Sequence, residues 1–466
     1  MPHSDPLFEK ATLAIQDAIP QAEKDPFRPV FHFRPPARWM NDPNGTMFHN
    51  GYYHVFYQLH PFGDTHGPMY WGHTRSKDLA HWEHLPIGLC PSHDRGETDC
   101  YSGCAWKTED GTPILIYTKV DKSTKPHPDF EQWAAVPQDE DLIHWEKYAN
   151  NPIMEKQPEF GASWRDPFVF EENGRTFAVV GACEVGTPLY EATNADLTQW
   201  QYLDLMCDIS TECPNFFKIN EKYILLSSPY RPVEYHIGDF DANAPSFTIQ
   251  NEGVLDQGEV NEKGRMKNGF YASNICFNER RQCILFGWVR GWEAGRGWNG
   301  CLALPRMLTV DPQNRPRQIP IPALRELRDQ HTHIAATEIT NTHVLSDIQS
   351  DTFEMLAVIE PGTATQYGLS IRCDQAGASG IDITYDGQNL TVANVSFPFA
   401  FDPGEPALFL HLFHDKSVLE VFANGGRAVS TQVVMPTLEN QNIAVLSNGG
   451  TAHLKSADIW TLKSIW

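Results

Sequence analysis

The chain has no Cys-x-x-Cys pair, no apolar run of membrane-spanning length, no basic and apolar leader, and a shortage of positive charge. Without paired-cysteine signatures, its 10 cysteines read as small buried hydrophobes, neither a disulfide framework nor a metal cage. Without an apolar stretch of about 20 residues, a transmembrane helix is excluded. The leaderless start sets the expectation of a cytoplasmic protein, although a secreted mature form would look the same. With 36 Lys and Arg against 59 Asp and Glu, the net charge is −23. Phosphate backbones and anionic membrane surfaces would be repelled, so neither nucleic acid nor membrane is expected as a partner. Cofactor signals are missing as well. Gly291, Gly295, Gly297 and Gly300 do not lead from a strand into a helix as a dinucleotide loop must. His81-x-x-His84 lacks the acid and second helix of a metal site, and no serine nucleophile elbow occurs. Helix is scarce too, with only LFEKATLAIQDAI near the start and PALRELRDQ beyond residue 320 offering candidates.

Strand-like text fills the rest. Five times a short opening leads into two alternating apolar runs split by a turn rich in Asn, Gly, Asp or Glu, the mark of a hairpin. The openings are Asp42-Pro43, Tyr101-Ser102, Asp166-Pro167, Glu212-Cys213-Pro214 and Tyr271-Ala272-Ser273. Their spacing of about fifty to sixty-five residues suits a β-propeller blade with its loops. A second echo, Asp-Leu-x-x-Trp at Asp78, Asp141 and Asp196, falls where outer blade strands should begin. The proline-rich, basic segment NRPRQIPIPALRELRDQHTH reads as a linker. Beyond it come short alternating runs such as TFEMLAVIE, YGLSIRC and SVLEVFANGG, as in an antiparallel sandwich. The fold class is all-β: a helical extension over 1–26, a propeller over 27–312, a linker over 313–338 and a β-sandwich over 339–466.

Three of the five openings carry a carboxylate, and equivalent blade positions converge on one axis. Asp42, Asp166 and Glu212 should therefore meet. A retaining glycosidase needs one ionised carboxylate as nucleophile and one protonated carboxyl as acid, about 5–5.5 Å apart. Amides from Asn41 and Asn44 would hold Asp42 ionised, and the Cys213-Pro214 context offers Glu212 a drier setting. Asp166 beside Arg165 should stay ionised and bind hydroxyls. Singly, an Asp-Pro at a turn is usually structural; three acids at one repeat position argue otherwise.

The motifs WMNDPNG, YHVFYQ, WGHTRSKDLAHW, YSG, WRDP, ECP, FYAS, GWNGCLALPR and HDKSVLEVFANGG, in this order from about Phe27 to the end, resemble glycoside hydrolase family 32. The resemblance implies a five-bladed propeller followed by a sandwich. It also implies retaining chemistry on β-fructofuranosyl bonds of sucrose, fructans or fructo-oligosaccharides, with no metal or organic cofactor. By motif, Asp42 resembles the nucleophile, Glu212 the acid/base and Asp166 the transition-state stabiliser. Asn41, Gln58, Trp71, Tyr101, Ser102, Arg165 and Trp292 resemble residues of the fructose pocket, Tyr101 replacing the usual Phe. Gly269 stands where many relatives have Asp, which tilts the expectation toward fructans. Asn215 replaces another frequent Asp, which should ease repulsion on Glu212. Two alternatives stay open: a fructosyltransferase, including intramolecular transfer to a difructose anhydride, and a silent carbohydrate-binding propeller. The sandwich could pack on the propeller, bind sugar or join subunits in a homo-oligomer.

Overall fold

Alternation about tight turns does build hairpins here, and each becomes the inner strand pair of a blade. In the computed structural model, which describes residues 6–161, 163–183, 185–345 and 348–466, five antiparallel sheets form the propeller. The inner strands are Arg38–His49, Asp99–Lys107, Trp164–Glu172, Asn215–Ile219 and Met266–Phe277. Asn50-Gly51 and Asn173-Gly174 each put two successive residues at positive φ, the turn geometry that matches strand twist. Trp298–Asn299 adds in parallel to Arg38–Trp39, tying the end of blade 5 to the start of blade 1.

The Asp-Leu-x-x-Trp echoes do sit at the outer strands. Leu79, Leu142 and Leu197 are all left-handed, with φ of 69°, 57° and 56°. That turn buries each following tryptophan, and Trp145 and Trp200 donate their indole N–H to Leu142 and Leu197 at 2.8 Å.

The segment 313–338 is not a free linker. Pro316–Pro320 is the outermost strand of blade 5, so the propeller sheet runs past residue 312. Its two prolines stand at the ends of an edge strand, where a missing N–H costs no ladder bond. A single 3₁₀ stretch, Pro322–Leu327, follows, and Arg328–Ile334 already pairs with the C-terminal strand. The sandwich sheet therefore begins before residue 339. Its two layers share one long strand, Asn442–Leu462. The N-terminal helix is Pro6–Ala22, whose Ala11, Ile15, Ala18 and Ala22 pack against the propeller.

The two domains are joined by buried charge. Asp415 accepts the backbone N–H groups of Val30, Phe31 and His32 at 2.8–2.9 Å and also contacts His32 Nδ1. His32 Nε2 lies 3.2 Å from Glu420, which pairs with Arg306, itself bonded to Asp256. All these side chains are fully buried. Asp415 and Glu420 of the HDKSVLEVF motif thus face the propeller.

Candidate active site

Four inner strands lose register where the candidate residues lie. The breaks fall between Met40 and Pro43, Cys100 and Gly103, Arg165 and Phe168, and Tyr271 and Asn274. In blade 4 the ladder starts only at Asn215, just after Glu212-Cys213-Pro214. A bulge frees residues from the ladder and re-aims their side chains. Asp166, Cys213 and Ala272 also share a left-handed backbone, with φ of 65°, 45° and 50°. Strain of this kind persists where surrounding structure enforces it and gathers at functional sites.

The bulges bring the acids into one hydrogen-bonded cluster. Asp42 Oδ1 accepts from Asn41 Nδ2 at 3.0 Å, and Oδ2 accepts from Ser102 Oγ at 2.5 Å. Asn41 is held by Trp39 Nε1 at 2.7 Å and donates to Gln58 Oε1 at 3.2 Å. Gln58 Nε2 closes the ring onto Ser102 Oγ at 2.7 Å. Both oxygens of Asp42 are thus held by donors that are themselves anchored, which fixes the carboxylate's orientation. The Cys213 thiol lies 3.3 Å from Asp42 Oδ2 and 3.6 Å from Asp166 Oδ2, linking the two. Asp166 Oδ2 also receives the Cys213 N–H at 3.1 Å. Next in chain, Glu212 pairs with Arg165 Nη2 and accepts from Tyr271 Oη at 2.9 Å. Arg165 Nη2 also donates to Tyr230 Oη at 2.7 Å.

This arrangement differs from the sequence expectation in its electrostatics. Arg165 was expected to keep Asp166 ionised, yet it offers Nη2 to Glu212 and only Nε, at 3.7 Å, to Asp166. Burial therefore dominates at Asp166. Burial raises the carboxyl, Arg165 pulls it down, the charges of Glu212 and Asp42 push it up, and the net result lies at about 7. The drier of the two carboxyls is Asp166, with 6% of its side chain exposed against 15% for Glu212.

Two expected pocket residues stand elsewhere. Trp71 is 0% exposed, packed among Phe56 and Tyr117. It reaches the site only by donating to the Tyr101 carbonyl at 3.1 Å. It buttresses the strand that carries Tyr101 and Ser102. Trp292 donates to Ser417 Oγ at 2.9 Å and packs on Trp298, bracing the junction with the sandwich. Neither the strand that carries Trp71 nor the loop that carries Trp292 shows in sequence which distant groups its indole will meet. Asn44, expected beside Asp42, instead accepts from the Gly103 N–H at 3.4 Å. Gly269 has φ +132°, and a Cβ there would lie 2.7 Å from the Thr431 carbonyl in the sandwich. A carboxylate at 269 would need the backbone to move, so its lack says little about substrate.

Other residues complete the rim. Trp39 meets Trp288 edge-on at 5.5 Å and His66 at 6.3 Å, and His66 also meets Tyr101. Arg290 lies over the Trp288 and Tyr271 rings at 4.9 and 5.8 Å. Trp39 and Tyr271 stand inside motifs that were visible in the sequence. His66 and Arg290 carried no local signal.

Comparison with known proteins identifies the family along nearly the whole chain. The description "Glycosyl hydrolases family 32 N-terminal domain" matches residues 32–320, and "Glycosyl hydrolases family 32 C terminal" matches 322–461. The chain is 29% identical to the sucrose-6-phosphate hydrolase of Escherichia coli, over 96% of this chain and 98% of that one. It is 29% identical to the levanase of Bacillus subtilis (strain 168), over 94% and 71%. Among solved structures, a Bombyx mori beta-fructofuranosidase aligns with TM-score 0.83 and 26% identity over 99% of each chain. Fructan 1-exohydrolase IIa from Cichorium intybus shares the fold, with TM-score 0.84 and 22% identity over 94% and 98%.

Proposed function

The chain belongs to glycosyl hydrolases family 32, and on that premise we propose that it hydrolyses β-fructofuranosyl linkages with Asp42 as nucleophile and Glu212 as acid/base. Asp42 attacks the anomeric carbon while Glu212 gives a proton to the departing oxygen. The fructosyl group is left on Asp42. Glu212 then takes a proton from water, whose oxygen displaces Asp42, and fructose leaves with its configuration retained. Asp166 accepts hydrogen bonds from ring hydroxyls as positive charge develops.

The observation that carries this reading is the single cluster joining three acids from three blades. Asp42 is locked by Asn41 and Ser102, the Cys213 thiol spans Asp42 and Asp166, and Glu212 is held by Arg165 and Tyr271. The named relatives are hydrolases of sucrose phosphate and fructans, which favours water over a sugar as acceptor. The test is a panel of sucrose, levan and inulin with products separated by chromatography. Free fructose is expected, with turnover reduced at least about 10³-fold in Asp42→Ala and in Glu212→Ala. New oligosaccharides as main products would favour transfer. Unchanged turnover in either variant would end the assignment.

A further inference from the structure

Beside Asp166, where all five inner strands converge, lies a cavity of about 10 Å³. Its wall includes Asn44, Ser102, Asp166, Cys213, Asn215 and Ser273, so all five blades contribute. Three polar atoms of this wall are buried without a partner in the protein: Asn44 Nδ2, Asn215 Oδ1 and Ser273 Oγ. Their residues are 0%, 1% and 1% exposed. Buried polar groups left unpaired are costly, and native proteins rarely tolerate three around one point.

Both amides are oriented by their other ends. Asn44 Oδ1 takes the Gly103 N–H, and Asn215 Nδ2 donates to the Pro214 carbonyl at 2.9 Å. The cavity therefore meets one fixed donor, one fixed acceptor and one hydroxyl able to do either. That set complements a water molecule. A cation would face the Asn44 amide hydrogens, and an anion would face the Asn215 oxygen and the Asp166 carboxyl. The volume admits one water, and two to four polar partners are what a buried water needs. Behind it, Thr46 Oγ1 and Asn274 Oδ1 are joined at 2.8 Å. Phe168 separates the cavity from an 860 Å³ opening at the far face of the propeller.

We propose that the cavity beside Asp166 binds one ordered water, held by Asn44, Asn215 and Ser273, which pins blades 1, 4 and 5 beside the carboxylate cluster. Asn215 and Ser273 are then positioning residues that act through this water on Asp166. They touch no substrate. The frequent Asp at position 215 would likewise act first on Asp166, because residue 215 lines this cavity.

A high-resolution crystal structure of the full chain tests the site without reference to activity. A single peak at hydrogen-bond distance from all three atoms is expected. An empty or collapsed cavity, or a peak with the short contacts of a metal ion, would overturn the proposal. Ser273→Ala removes one partner with little change in volume. It should weaken or abolish the peak and lower kcat roughly fivefold, the worth of about one net hydrogen bond, with KM nearly constant. Should Ser273→Ala lose the water yet keep kcat and its pH profile, the positioning role fails. Should that variant not fold, the wild-type density still decides the site.

Discussion

Among single residues, Asp166 is the one whose environment departs furthest from its sequence context. A carboxyl raised to about 7 in the fold, from 3.8, binds more protons folded than unfolded between those values. Stability should therefore fall as pH rises from about 4 to about 7. Asp166→Asn removes the penalty. It should melt higher than the wild type by a margin that widens from pH 5 to pH 8, while turnover is lost. A margin independent of pH in thermal melts would contradict the assignment. Trp71 and Trp39 make a contrasting pair. Trp71→Phe should lower the melting temperature, by roughly 1–3 kcal/mol of stability, and leave KM near wild type. Trp39→Ala, at the half-buried rim and bonded to Asn41, should raise KM roughly tenfold, as loss of a pocket contact does. Steady-state kinetics beside melting curves would separate the two.

Elements show a different kind of information. Hairpins, bulges and blade-edge turns rest on contacts within a few residues, so their signals were on the surface of the sequence. In blade 3 the turn before the outer strand is held by Asn194 Oδ1, which accepts from Thr198 N and Gln199 N at 3.0 and 3.1 Å. Asn194→Ala should cost about 1 kcal/mol in denaturant unfolding, with kinetics unchanged, because the turn lies far from the acids. The misread element was Pro316–Pro320. Its prolines looked like breakers, and only the neighbouring strand Arg306–Val310 makes it a blade edge.

For the whole molecule, the domain junction adds a second pH dependence, at higher pH than that of Asp166. Burial opposes charge on His32, but hydrogen bonds and charges from Asp415 and Glu420 outweigh it and raise His32 to about 9. A histidine raised from 6.5 contributes stability that is complete below pH 6.5 and lost as pH climbs through about 9. The wild-type melting temperature should fall across that window, and His32→Asn should flatten the slope while lowering stability overall. An equal slope in both proteins would show that this junction does not titrate as described.

By itself the sequence determined the all-β class, five hairpins, the sandwich and the three repeated openings whose acids meet in one cluster. Alternation, turn chemistry and repeated openings are local, and a repeat needs no coordinates to be read. Tertiary structure alone decided where Arg165 spends its charge, which groups Trp71 and Trp292 pack against, where the sandwich begins and why Gly269 is small. Each of those depends on which distant groups come within a few ångströms of one another. Asp42 meets the Cys213 thiol across 171 positions of chain, and no pattern inside either segment encodes that approach.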